Sequence, residues 1–221
     1  EVVAVRADGT ESEPAQLEVS IGRQQAFTAL ADSYIRGGDG ESVVYGAEKE
    51  LLIKRDQDPQ YNRQAYLRLP GVKASALKQA VVRLRVAAVN DSAMTLVAQA
   101  VSETGWTESG EEALTWANAP VTRREDAAPP VAGELWRGRV AGVTPGTAVE
   151  MDVTAGLKAF LAAYPEQDNV VVHVFSATQD GSGAKQVSFV SKEGAMLPEY
   201  APSVEYTVNT YPPQGTVIWL K

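Results

Sequence analysis

The chain has 221 residues and a mass of 23.6 kDa, enough for one large β-domain with a substantial core. Hydrophobic residues make up 44% and charged residues 22%, a globular composition that excludes a wholly disordered, collagenous or coiled-coil chain. Twenty basic against 28 acidic residues leave a net charge of −8, which argues against non-specific nucleic-acid binding, a task for clustered cations. Cysteine is absent and histidine occurs once, so thiolate and multi-histidine metal centres, cysteine nucleophiles and disulfides are all excluded. No apolar run approaches the ~18 residues of a membrane span, so no membrane insertion is expected.

In chain order, Glu1–Ser20 (EVVAVRADGTESEPAQLEVS) reads as strand, polar turn over Ala7–Pro14, and strand. It resembles the last hairpin of a fibronectin type III domain, and residues 1–20 are read as the remnant of such a domain in a multidomain protein. Strands are expected at Leu51–Arg55, Ala65–Leu69, Ala80–Val89 and Met94–Val101, and again at Val170–Ser176, Gln186–Ser191 and Ser203–Val208, with glycine and proline between them. In the third of these, Val82, Leu84 and Val86 share one face, and Arg83 and Arg85 turn outward. One helix is expected over Val153–Tyr164, where Val153, Leu157, Phe160, Leu161 and Tyr164 recur at helical spacing. Asp152 or Thr154 caps it and Pro165 stops it. Many strands and one short helix predict an all-β fold, an antiparallel β-sandwich of jelly-roll type, over residues 21–208. Residues 209–221 are read as a C-terminal linker or added edge strand.

The middle of the chain carries a series of short motifs. They are Ala31-Asp32-Ser33-Tyr34-Ile35-Arg36-Gly37-Gly38, Tyr45-Gly46, Tyr61-Asn62-Arg63 before Ala65-Tyr66-Leu67, and Trp106-Thr107-Glu108. Leu114-Thr115-Trp116-Ala117-Asn118-Ala119-Pro120, Asp152-Val153-Thr154, Ser191-Lys192-Glu193 and the closing strand around Pro202, Val204 and Tyr206 follow. On these residues, positions 27–208 resemble the DNRLRE-domain family, which overlaps carbohydrate-binding module family 96. The resemblance implies a β-sandwich appended to secreted bacterial polysaccharide-degrading enzymes or surface proteins, binding acidic polysaccharide such as alginate through basic residues.

Within the segment matched by that family's ligand-binding region lie Arg36, Lys49, Lys54 and Arg63, and the resemblance implies that they contact the glycan. Arginine suits a carboxylate or sulfate because its planar fork donates two parallel charge-assisted hydrogen bonds. Tyr34, Tyr45 and Tyr61 lie beside them in sequence and are candidates to stack on pyranose faces. Residues 36–58 also contain Asp39, Glu41, Glu48, Glu50, Asp56 and Asp58, so this segment is not basic by count, and neutral or sulfated glycans stay open. From Pro59 to Asn90 there are six basic residues and no acid. Lys73, Lys78, Arg83 and Arg85 in that stretch are read as solvated surface charge, with acidic strands beside them. The competing reading of Arg36 and Arg63 is internal pairing with Asp32 or Glu193.

Trp106, Trp116 and Trp136 are expected to pack rather than to form a sugar platform, and His173, on an apolar strand, to be a satisfied core residue. Asp56 and Asp58 are candidate ligands for a structural calcium, without the spacing of an EF-hand. No other cofactor is expected. No nucleophile elbow, phosphate loop or dinucleotide fingerprint is present, so the chain is expected to be non-catalytic, with a lyase or glycoside hydrolase as its parent enzyme. The expected partners are a polysaccharide and neighbouring domains of the same chain, the module itself being a monomer. The alternative is a structural spacer or adhesion module without a glycan site.

Overall fold

The computed structural model describes residues 21–90, 93–120, 133–179 and 185–210. The hairpin expected in residues 1–20 lies outside them, as does the tail expected over 209–221 except for Asn209 and Thr210, which continue the last strand. Among the described residues, eleven strands carry the fold: β1 (Ile21–Thr28), β2 (Ala31–Arg36), β3 (Glu50–Lys54), β4 (Arg63–Pro70), β5 (Leu77–Asn90), β6 (Met94–Val101), β7 (Glu134–Val140), β8 (Ala148–Asp152), β9 (Asn169–Ser176), β10 (Gln186–Val190) and β11 (Ser203–Thr210). The single α-helix among the described residues, α1 (Thr154–Ala163), lies between β8 and β9. All strand pairs are antiparallel. They follow the order β1-β11-β5-β10-β3-β4-β9-β6-β7, with β2 added on β4 and β8 on β5. The expected all-β, sandwich-like fold with one short helix is therefore what forms.

β5 is long because it serves two neighbourhoods. Its first half pairs with β11 and β8, and its last residues, Val86–Asn90, pair with β10. The curled sheet closes over one apolar core to which β3, β4, β5, β9, β10 and β11 all contribute, including Ile53, Leu67, Leu84, Val172, Phe189 and Val204. Alternation along β5 sends Val82, Leu84 and Val86 into this core and leaves Arg83 and Arg85 half-exposed, as the pattern predicts. Arg83 meets Glu150 of β8 at 2.9 Å and Glu205 of β11 at 2.8 Å. The Arg85 guanidinium lies over the Tyr200 ring at 4.3 Å.

The helix buries Leu157, Phe160 and Leu161. The N-cap position is Val153 and carries no side-chain cap, so neither Asp152 nor Thr154 caps the helix as expected. The Asp152 carboxylate accepts the Thr154 N–H at 3.0 Å, and the Thr154 hydroxyl accepts the Ala80 N–H at 2.9 Å, tying the helix start to β5.

A second, smaller cluster, distinct from the main core, gathers Ile35, Tyr66, Trp106, Leu114, Trp116 and Val171. Trp106 and Trp116 thus pack, as expected, beneath the segment 102–119. Arg68 ties that segment down by donating to the Trp106 carbonyl at 3.0 Å, with its guanidinium over the Trp106 ring. Trp136 packs against the main core. His173 is fully buried between the Gln64 and Gln99 side chains and stacks on Tyr66 and Phe175, a satisfied core histidine.

Candidate functional site

The sequence candidates converge at the ends of β2, β3 and β4. In the sheet register Arg63 pairs with Arg36 of β2 and with Lys54 of β3. Directly opposed residues of an antiparallel pair have Cβ atoms about 5 Å apart, so the register alone sets two guanidinium side chains next to each other. The Arg63 Nη1 donates to Gln186 Oε1 at 3.2 Å, and Gln186 is the partner of Lys54 across β3 and β10. Arg36 Nε is buried and has no hydrogen-bond partner among the described residues. No carboxylate among the described residues lies within ion-pair distance of either arginine. Burial first, and the neighbouring Arg36 charge second, lower the pKa of Arg63 below the ordinary guanidinium value.

Two tyrosines cover this pair. Tyr34, two residues before Arg36 on β2, stacks with Tyr45 at a ring-centroid distance of 4.3 Å. Burial pushes the Tyr34 hydroxyl up to about 12, with Tyr45 and Glu48 adding to the shift and Arg63 and Arg36 opposing it. Tyr45 comes from the loop between β2 and β3, and two glycines seat that loop. A Cβ on Gly40 would lie 2.7 Å from the Tyr45 hydroxyl and 2.9 Å from Arg36 Cδ, and one on Gly46 would lie 2.2 Å from the Glu108 carbonyl oxygen. At Gly46, where the neighbour is backbone, only hydrogen allows such approach. Tyr34 is 6% exposed and Tyr45 is half-buried, so Tyr45 is the more exposed member of the stacked pair. Tyr61 is 43% exposed, with the Lys54 ammonium 5.6 Å from its ring centroid.

The candidates differ in availability. Lys54 is held by Asp56 at 2.8 Å with both side chains 12% exposed, and this hydrogen bond is the first cause of the lowered Asp56 pKa. Lys49 is exposed, but it lies at the other end of β3, where its carbonyl accepts the Ser191 N–H. Five residues of strand put it about 16 Å from Lys54. Asp32 and Glu193, considered as partners for the arginines, engage Lys192 instead. The Asp32 Oδ2 accepts the Lys192 N–H at 2.8 Å, and Glu193 lies 3.4 Å from its ammonium. Asp58 caps the short 3₁₀ turn Pro59–Tyr61 by accepting the Gln60 N–H, and its carboxylate also accepts from the Gln60 side chain. Asp56 accepts the Asp58 N–H at 3.0 Å, so both proposed calcium ligands are engaged with their own loop.

Gln186 is a neighbour that sequence reasoning missed: it lies 123 positions from Arg63, and no local pattern links them. Chemically, the arrangement is a half-buried pair of like charges with spare donors, bordered by tyrosine rings. Asp56 attracts Arg63 only from beyond ion-pair distance. Half-buried cations without a contacting counter-charge are costly, and a carboxylate or sulfate that reached them would relieve that cost through bidentate hydrogen bonds.

The family model for carbohydrate-binding module family 96 matches residues 23–201 of the chain. A comparison with curated proteins returned no match. No helix among the described residues is long and apolar enough to cross a membrane.

Proposed function

Because the chain belongs to carbohydrate-binding module family 96, we propose that it is a non-catalytic module holding a secreted bacterial polysaccharide-degrading enzyme or surface protein against an acidic polysaccharide, of uronate or sulfated type. The observation that supports this reading most is the Arg36–Arg63 pair, two adjacent guanidinium groups with no carboxylate at ion-pair distance among the described residues. In this reading each arginine takes an acidic group of the polymer by its planar fork, and Tyr45 and Tyr61 lie against the pyranose faces. Lys54 contributes field rather than contact, because Asp56 occupies it. The module does no chemistry. It raises the effective concentration of its attached partner near the polymer.

A spacer or adhesion module without a glycan site is the second reading, supported by the pairing of Lys54 with Asp56 and of Arg83 with two glutamates. Affinity electrophoresis against alginate, pectin, sulfated algal glycans and neutral glucans, at low and high salt, separates the two. Retardation by an acidic polymer that fades as salt rises supports the arginine site. Retardation by neutral glucans that survives salt moves the contact to the tyrosines. No retardation on any polymer leaves the spacer.

A further inference from the structure

On β2, four residues before Arg36, Asp32 belongs to a cluster of the opposite charge. Three segments meet there: β2, the 102–119 segment through Glu108, and the turn after β10 through Lys192 and Glu193. The Asp32 N–H donates to Glu108 Oε1 at 2.8 Å, and the Lys192 N–H donates to Asp32 Oδ2 at 2.8 Å. One carboxylate oxygen from each of Asp32, Glu108 and Glu193 lies within 4.8 Å of the others. The Lys192 ammonium sits among oxygens, 2.8 Å from both of Glu108, 3.4 Å from Glu193 and 3.4 Å from the Leu30 carbonyl. This is a shell of hard oxygen donors around a positive charge, the surroundings that calcium takes.

One ammonium does not balance three carboxylates. Asp32 is only 1% exposed, yet its Oδ1 has no hydrogen-bond partner among the described residues. A buried carboxylate oxygen left without a donor is a costly arrangement unless something completes it. The other members are accessible: the Lys192, Glu108 and Glu193 side chains are 31%, 23% and 28% exposed. An ion can therefore enter as the lysine swings outward.

We infer that Asp32, Glu108 and Glu193, with the Leu30 carbonyl, form a divalent-cation site of the calcium class in which the Lys192 ammonium is a displaceable stand-in. Competition from the lysine places the affinity in the weak range of extracellular calcium modules, about 10⁻⁴–10⁻³ M. Occupation ties β2 to two distant loops. It does not depend on glycan binding.

The test combines calcium-dependent melting with terbium luminescence excited through tryptophan, since Trp106 lies two residues from Glu108. About 5 mM calcium should raise the melting midpoint over that in chelator, and calcium should displace the terbium emission. Glu193→Gln, at a partly exposed position, should weaken calcium binding severalfold without threatening the fold, and Asp32→Asn should weaken it further. Lys192→Met should tighten it by about tenfold or more. The inference is overturned if wild-type protein shows neither a melting shift nor emission. It also fails if only Lys192→Met binds the ion, which would make the ammonium the permanent occupant, or if Asp56→Asn and Asp58→Asn abolish binding and Glu193→Gln does not.

Discussion

Arg83 on β5 and Arg63 on β4 are both half-buried strand arginines, and their surroundings are opposite. Arg83 lies between Glu150 and Glu205, brought to it by the strands on either side, and these two hydrogen bonds raise its pKa. Arg63 faces another arginine and the Gln186 amide, and its pKa is lowered. In sequence the contrast runs the other way. Both lie in the 32-residue stretch without an acid, but Arg83 stands deep inside it, whereas Arg63 stands near its start, just after a segment that holds six acids. A cation's availability is therefore set by what its neighbouring strands carry. One arginine is paired with two carboxylates of the protein, and the other has none at ion-pair distance among the described residues.

The largest effect that would break this contrast is on glycan binding. Arg36→Ala and Arg63→Ala should each weaken retention by an acidic polysaccharide about tenfold or more, the loss expected for a charge-assisted hydrogen bond. Arg83→Ala should leave it unchanged, and equal losses for Arg63 and Arg83, measured by affinity electrophoresis or calorimetry, would refute the distinction.

A buried acid on the same strand extends the comparison. Asp32 titrates near 7 in the folded protein against 3.8 as an ordinary aspartate, because burial disfavours its charge, with Glu193, Glu108 and Lys192 facing it. The folded state then binds more protons than the unfolded state between those values. Stability present at low pH is lost as pH rises through 7. In chelator, urea denaturation should show stability falling by on the order of 1–2 kcal/mol between pH 5.5 and 8, and Asp32→Asn should flatten that slope.

Smaller effects separate the two arginines as contributors to stability. Arg83→Met should cost roughly 0.2–1 kcal/mol, the range of exposed ion pairs. Arg63→Met removes a like-charge neighbour of Arg36 and should be neutral or slightly stabilising, with both read from denaturant midpoints. Lys54→Ala should change acidic-glycan binding least, by less than about threefold, because Asp56 already neutralises it. Asp56→Asn should strengthen binding slightly at low salt.

Much of the fold was legible because it rests on local periodicity. The alternation in β5, the helical spacing of Leu157, Phe160 and Leu161 and the apolar run around His173 each carry their own signal. β1, β2, β7 and β8 escaped it. β2, with Asp32 and Ser33 buried beside Tyr34 and Ile35, is covered on both faces and has no alternation to read. β1 is an edge strand of mostly exposed residues, and β8 is only five residues long.

The candidate site was legible as a set of residues and not as an arrangement. Arg36, Arg63, Tyr34 and Tyr45 do meet, but Lys49 is separated from them by the length of β3, and Tyr34 is buried against Tyr45. Which cations are neutralised depends on pairs such as Arg83 with Glu205, 122 positions apart, and Lys192 with Glu108, 84 apart. No window of sequence contains both members.

The outermost pairing of the fold has a mechanical consequence. β1 and β11 run antiparallel with Ile21 opposite Thr210, so the chain enters and leaves the described domain at adjacent points on one edge. Tension between the flanking segments would peel these two strands apart one rung at a time, instead of loading all the rungs together in shear. A module tethered in this way sits beside the line of force and yields early under pull.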